Sequence, residues 1–248
     1  MKLTEHCHVL YGLVTIPPWM VNAGFIRGGH TTLVVDTGYN YLSAQTIYGY
    51  AQTAKPDNDI LALNTEPHSD HMAGNCFFNE RGIPIPGHAD IHRTDADHAE
   101  IRAAYHASIT CPVRKAHHEE NVIFHKTCFV NPTRPVDRET VLDLGSLEAR
   151  ILLAPGHTPM NLMVHVPGDG VLFAGDTLIN GNIPNMAETD ADGWRDWLTT
   201  LDRLEALAPR IVVPGHGEAM KDDAIRVEVE RTRRMLHDAI ETGVPPAP

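Results

Sequence analysis

Within the stretch Asn64-Thr65-Glu66-Pro67-His68-Ser69-Asp70-His71, four potential metal ligands fall in six residues at the end of an apolar run. Imidazole and carboxylate donors without a thiolate suit zinc, iron or manganese. Taken as extended backbone, Glu66, His68 and Asp70 alternate onto one face while His71 points elsewhere, so one loop could serve two ions. The preceding Asp59-Ile60-Leu61-Ala62-Leu63 reads as a buried strand, and Met72-Ala73-Gly74-Asn75 as the start of a helix. Loops at strand ends are where open α/β sheets place their ligands. A single His or Asp here would mean no more than a solvated turn. Three further segments change the balance: Ala154-Pro155-Gly156-His157-Thr158, Phe173-Ala174-Gly175-Asp176-Thr177 and Val213-Pro214-Gly215-His216-Gly217. Each sets a potential ligand after an apolar run, so coincidence would have to act four times.

In this order the four segments resemble the metallo-β-lactamase-fold hydrolase superfamily, whose first motif reads His-x-His-x-Asp-His. Glu66 stands where that motif has its first His. The resemblance runs from Val34-Val35-Asp36-Thr37-Gly38 to the Pro-Gly-His-Gly segment and is specific for fold rather than substrate. It implies an α/β protein, an αβ/βα four-layer sandwich of two mixed β-sheets flanked by helices; at 248 residues without linker composition, a single domain spanning 1–248 is the default expectation. The resemblance also implies two divalent ions: Glu66, His68 and His157 on the first, Asp70, His71 and His216 on the second, Asp176 bridging, and Asp36 supporting the loop from behind. A metal-bridging hydroxide would then be the nucleophile, one ion polarising the scissile oxygen while both acidify water. Asp70 is the candidate catalytic side chain, placed to orient the hydroxide and accept a proton. Two divalent ions bring four positive charges, and Asp70, Asp176, Glu66 and a hydroxide remove four. An anionic oxygen at position 66 should therefore lower Lewis acidity and move preference from zinc towards iron or manganese.

The elements that must position these residues are legible in outline. His8-Val9-Leu10-Tyr11-Gly12-Leu13-Val14, Asn22-Ala23-Gly24-Phe25-Ile26 and Thr31-Thr32-Leu33-Val34-Val35-Asp36 read as short strands of one sheet, with Gly28-Gly29 in a tight turn. Residues 41–55 have helical spacing and stop at Pro56-Asp57-Asn58. Ile83-Pro84-Ile85-Pro86-Gly87 suits an edge strand, because proline is poorly tolerated in a central one. A helix is expected over 91–108. Residues 140–144, 149–153, 162–166 and 171–173 read as the strands of a second sheet. Apolar residues at 194, 197, 198, 201, 204 and 207 mark an amphipathic helix. Residues 210–213 form a short buried strand, Asp222-Asp223 open the last helix, and the proline-rich end frays.

Between 88 and 127 the chain holds seven histidines, His88, His92, His98, His106, His117, His118 and His125, without a ligand motif. The segment reads as a solvated, substrate-covering insertion. Cys7, Cys76, Cys111 and Cys128 form no Cys-x-x-Cys pair and are expected as reduced thiols; Cys76, five residues beyond His71, reads as a small buried hydrophobe. A net charge of −12 argues against nucleic acid and anionic membranes as partners. No apolar run approaches the ~20 residues of a membrane span, and the N-terminus lacks an export-signal pattern, which points to a cytoplasmic protein acting on a small molecule. Self-association into a homo-oligomer stays open. The expected function is metal-dependent hydrolysis of a small ester, thioester, lactone or amide, glyoxalase II and the lactonases being similar in the Asp176 position. An iron-dependent, dioxygenase-like oxidoreductase on the same fold is the alternative. A nuclease would need a basic groove, and a metal-stabilised binding protein would show binding without turnover.

Overall fold

The computed structural model describes residues 1–13 and 20–246. Val14, at the end of the first expected strand, and the last two residues of the proline-rich terminus lie outside them. Two mixed sheets face each other. The first has the order β1-β2-β3-β4, with β1 at Cys7–Leu10, β2 at Ala23–Arg27, β3 at Thr31–Val35 and β4 at Asp59–Leu63. Its first two pairings are antiparallel and β3 runs parallel to β4. That last pairing requires a crossover, supplied by α1 at Tyr41–Ala54, whose N-terminus is capped by the Asn40 side chain accepting from Ser43 N at 2.8 Å.

After β4 the chain passes through two short helices, α2 at Ser69–Met72 and α3 at Asn75–Asn79, and then β5 at Pro86–His88. Residues 83–87 do run along an edge: Ala62 N donates to Pro84 O at 3.1 Å and Asn64 N to Pro86 O at 3.0 Å. The formal strand is shorter than expected and pairs in parallel with β6 at Arg134–Val136 as a separate two-stranded sheet. The insertion carries α4 at Asp95–Ser108, begun by a Thr94/Asp97 capping box, then α5 at Pro112–Ala116 and α6 at Glu120–Ile123.

The second sheet has six strands: β7 at Thr140–Asp143, β8 at Glu148–Leu153, β9 at Leu162–Val166, β10 at Val171–Ile179, β11 at Ile211–His216 and β12 at Met220–Lys221. β10 and β11 are parallel, joined through α7 at Ala191–Ala206. The last helix, α8 at Asp223–Thr242, ends at Gly243, whose φ of 71° is the left-handed cap glycine tolerates.

Three apolar layers hold this together. Ile26, Leu33, Leu63, Ile151, Val164 and Phe173 fill the space between the sheets. Phe25, Val34, Ile47, Phe77 and Phe78 pack α1 and α3 on the outside of the first sheet. Trp197, Leu201, Leu204, Val229 and Leu236 pack α7 and α8 on the outside of the second. Full burial of a side chain such as Phe78 contributes on the order of 2–3 kcal/mol. The order helix, sheet, sheet, helix is the expected four-layer sandwich. Among the described residues no helix is long and apolar enough to cross a membrane.

Candidate metal centre

Register brings the four motifs to one rim. Val35 sits opposite Leu63 across the parallel β3/β4 pair, so Asp36 and the Glu66 loop leave the first sheet side by side. Gly175 and Ile179 of β10 are paired with Pro214 and His216 of β11, so Asp176 and His216 emerge together from the second. The two rims are tied by Leu162 N donating to Thr65 O at 2.7 Å. Gly215 is required where they meet, because a Cβ there would lie 1.8 Å from Asp176 Oδ1.

The ligand loop differs from the extended reading in its second half. Asp70 and His71 belong to α2, a turn of helix begun by His71 N and Met72 N donating to His68 O at 3.1 and 3.2 Å. Backbone hydrogen bonding overrides the alternation: Glu66 and His68 precede the turn, and Asp70 and His71 are aimed by it. The two residues still reach a different group from the first pair.

All seven predicted residues converge. Glu66, His68, His157 and Asp176 bring one donor atom each within 4.8 Å of one another, and Asp70, His71 and His216 form a second such group. His157 Nε2 lies 3.2 Å from His68 Nδ1, 3.4 Å from Glu66 Oε2 and 3.6 Å from Asp176 Oδ2. His216 Nε2 lies 3.3 Å from Asp70 Oδ2 and 3.4 Å from Asp176 Oδ2. His71 Nε2 lies 3.3 Å from Asp176 Oδ1. Asp176 thus faces both groups. So does Glu66, with Oε2 at 3.0 Å from His68 Nδ1 and Oε1 at 2.9 Å from His71 Nε2.

The donor set fits divalent ions. Glu66 Oε1, His71 Nε2 and Asp176 Oδ1 are buried without a hydrogen-bond partner, although each lies within 3.3 Å of another donor atom. Buried polar atoms aimed at one point and left unpaired are what a cation satisfies. The charges say the same. Burial and Asp176 push the Glu66 carboxyl up, but His68, His71 and His157 overcome both and leave it at about 2. Burial lowers His68 and His216, and the carboxylates, led by Glu66 for the first and Asp176 for the second, raise each to about 9. His71 is raised well above its ordinary value, against its burial, chiefly by Glu66 and Asp176.

Asp36 stands behind His71, as the resemblance implied. Its Oδ2 lies 2.9 Å from His71 Nδ1 and accepts from Thr65 Oγ1 at 2.8 Å, while Oδ1 accepts from Thr65 N at 2.7 Å. This contact directs Nε2 of His71 inward. Burial pushes the Asp36 carboxyl up against the pull of His71 and Thr65. Several supports carried no sequence signal. Asn64 and Asn75 exchange amide hydrogen bonds of 2.8 and 3.0 Å, and Asn64 Nδ2 also donates to His71 O at 3.2 Å. Asn22 Nδ2 donates to Pro214 O at 2.8 Å and Gly217 O at 2.7 Å, bracing the His216 loop. Trp197 packs edge-on to His157 at 5.5 Å and donates from Nε1 to Thr177 O at 3.0 Å. Cys76 is buried as expected, its thiol raised to about 11 chiefly by that burial. A cavity of about 650 Å³ on the outer side of the first sheet, lined by Phe25, Leu42 and Tyr50 among others, touches none of the seven donors.

A sandwich of two mixed sheets with a buried His and carboxylate cluster at one rim defines the class. The chain belongs to the metallo-beta-lactamase superfamily, whose family profile matches residues 16–216. It is 25% identical over 205 residues to an acyl-coenzyme A thioesterase, MBLAC2, of Gallus gallus, covering 79% of this chain and 72% of that protein. It is 32% identical over 108 residues to a hydroxyacylglutathione hydrolase of Rhodobacter capsulatus, covering 43% of this chain and 41% of that one. A metallo-beta-lactamase family protein of Thermus thermophilus superposes with a TM-score of 0.71 at 24% identity, over 97% of this chain and 82% of that one. Family and relatives together support a metal-dependent hydrolase in the broad sense.

Proposed function

We propose that the protein is a dinuclear metal-dependent hydrolase of a small-molecule thioester, within the wider class of ester, lactone and amide substrates. The observation that carries the two-ion reading is the division of seven converging donors into two groups, with Asp176 facing both. Glu66, His68, His157 and Asp176 would hold one ion, and Asp70, His71 and His216, with Asp176 shared, the other. Zinc, iron and manganese all suit this nitrogen and oxygen set. Bound there, divalent ions polarise a scissile carbonyl and supply a nucleophilic water near neutral pH.

The chain's own residues account for the rest. Asp36 and the Asn64/Asn75 pair hold His71 in one orientation. Asp70 is the donor carboxylate open to solvent, its side chain 23% exposed against 0% for Glu66 and 7% for Asp176. It is therefore the group placed to accept a proton from the attacking water and return it to the leaving thiolate. The insertion over 88–127 borders the loop, Arg93 Nη1 lying 3.5 Å from Pro67 O, and would govern substrate choice. The thioester preference rests on the two hydrolase relatives described above.

Metal-loaded protein assayed against acyl-coenzyme A, acyl-glutathione, lactone, aryl ester and β-lactam panels should turn over a thioester best. Asp70→Asn should lower kcat by ~10²–10⁴. Three carboxylates among seven donors also favour iron, which supports an oxidative second reading. Oxygen uptake without hydrolysis in the same preparation would replace the first reading with the second.

A further inference from the structure

The insertion contains a second kind of donor cluster, well separated in sequence from all seven residues of the metal centre. His106, in the last turn of α4, and His118, in the turn before α6, both aim Nδ1 at one carboxylate. His106 Nδ1 lies 2.8 Å from Glu120 Oε2, and His118 Nδ1 lies 2.9 Å from Glu120 Oε1. The two rings stack at 5.3 Å with 20° between their planes. All three donor atoms fall within 4.8 Å of one another.

We infer that His106, His118 and Glu120 form a separate divalent-metal site of the zinc class, joining α4 to α6. Two imidazoles and one carboxylate are a complete protein ligand set for a zinc site that keeps water in its remaining position. Each neutral ring that moves its proton to Nε2 presents the Nδ1 lone pair along the direction in which it now donates. Tetrahedral zinc with bonds of ~2.0–2.1 Å places neighbouring donors ~3.3 Å apart, so each histidine–carboxylate pair, now 2.8 or 2.9 Å, needs to open by about half an ångström. The side chains can do this: His106 is 31% and His118 64% exposed, beside a cleft of about 310 Å³ lined by Arg102, Ala103 and the three donors. Arg102 does not compete for the position, since its Nη2 donates to Asn121 Oδ1 at 2.7 Å and its guanidinium lies 5.7 Å from the Phe124 ring centre.

Two features set this cluster apart from a surface ion pair. His118 occupies the left-handed region at φ 50°, uncommon outside glycine, and its Nδ1 lies 2.9 Å from the Glu120 carboxylate. Glu120 is only 11% exposed at its side chain, and each of its two oxygens faces one histidine Nδ1, so the carboxylate is held inside the cluster rather than free in solvent. A metal here would cross-link α4 and α6, two helices that also meet through the small Tyr105, Ile109 and Phe124 cluster and the Arg102–Asn121 hydrogen bond.

The test compares wild type with His118→Asn, since asparagine tolerates the left-handed backbone and removes the ligand. Both are loaded with excess Zn²⁺, desalted and analysed for zinc by mass spectrometry, then titrated with Zn²⁺ against a chromophoric chelator. Wild type should retain one zinc more per chain than His118→Asn, and the variant should lose one class of sites by at least tenfold in affinity. His106→Gln should repeat the loss, so a folding defect in one variant does not decide the matter. The comparison is a difference, so any shortfall at the main centre lowers all three proteins alike and tests the proposed function instead. Equal zinc content and superimposable titrations in wild type and both variants would overturn the inference and leave an ion-paired carboxylate.

Discussion

Loading the centre should release protons, and its apparent affinity should climb steeply with pH. In the metal-free protein His68 and His216 titrate at about 9 rather than their ordinary 6.5, so both are protonated at pH 7. A divalent ion must displace those protons, since only the neutral ring is a ligand. Displacement at pH 7 from a group at 9 costs about two decades, so His68 sets that cost for the first ion and His216 for the second, where His71, raised well above its ordinary value, adds to it. The apparent association constant of the first ion should therefore rise about tenfold per pH unit between roughly 7 and 9, then flatten, and that of the second should rise more steeply because His71 is displaced with His216. Competition against a chelator at successive pH values gives the slope, and calorimetry in two buffers of different ionisation enthalpy counts the protons. A slope below one decade per unit, or fewer than one proton released, would refute the electrostatic account.

The same shifts fix how stability responds in the two forms. A histidine raised from 6.5 to about 9 by folding stabilises the metal-free protein fully below 6.5, and that contribution is lost as pH rises through 9. Glu66, depressed from 4.5 to about 2, contributes above 4.5 and ceases to as pH falls through 2. Metal-free protein should thus be most stable between about pH 5 and 6.5. Metal-loaded protein should instead gain stability as pH rises to about 6.5 and stay nearly level above it, because its metal-bound imidazoles carry no protons and the stronger binding at higher pH offsets the loss seen in the metal-free form. Thermal melts with and without chelator read both slopes directly.

Two substitutions probe the site from front and back. Glu66→His should move metal preference towards zinc and shift the rate profile to lower pH, because one unit of negative charge at ~4 Å is worth on the order of 4 kcal/mol at an effective dielectric near 20; unchanged metal selectivity and pH profile in a fully loaded variant would show that Glu66 is not a ligand. Asp36→Asn keeps the left-handed φ of 63° accessible while removing the carboxylate behind His71, so the fold should persist and metal affinity fall ~10–100-fold by chelator competition.

The donors could be read from sequence because each follows an apolar run that had to be a strand, and strand ends collect at a rim. Asp176 and His216 illustrate this: β10 and β11 are buried throughout, His216 ends β11, and Asp176 lies where the register of β10 shifts against it, three residues before the end of that strand. Asp70 and His71 were placed on the wrong backbone because four residues of helix leave no periodicity to detect. His106, His118 and Glu120 form no motif because their meeting depends on how α4 packs against α6. The supporting roles of Asn22 and Trp197 escape notice for a related reason, since each acts through contacts with residues far away in the chain.

Glu66 shows where a family pattern and this chain's physics part company. The substitution of a carboxylate for an imidazole changes the number of directions in which position 66 can act, as well as its charge. An imidazole nitrogen presents one lone pair to one ion. Glu66 instead has one oxygen 2.9 Å from His71 Nε2 and the other 3.0 Å from His68 Nδ1, so it addresses both groups from a fully buried position. Asp176 does the same from the opposite sheet. Two carboxylates facing each other across the same pair of groups repel, and burial amplifies that repulsion, yet Glu66 titrates at about 2 and Asp176 well below its ordinary value. Such an arrangement is favourable only while positive charge sits between them, held as protons on the imidazoles in the metal-free protein and as divalent ions in the loaded one. A preference for hard, oxygen-seeking metals and a steep pH dependence of loading are therefore expected together, with a common origin in the second carboxylate, and a histidine at position 66 should weaken both.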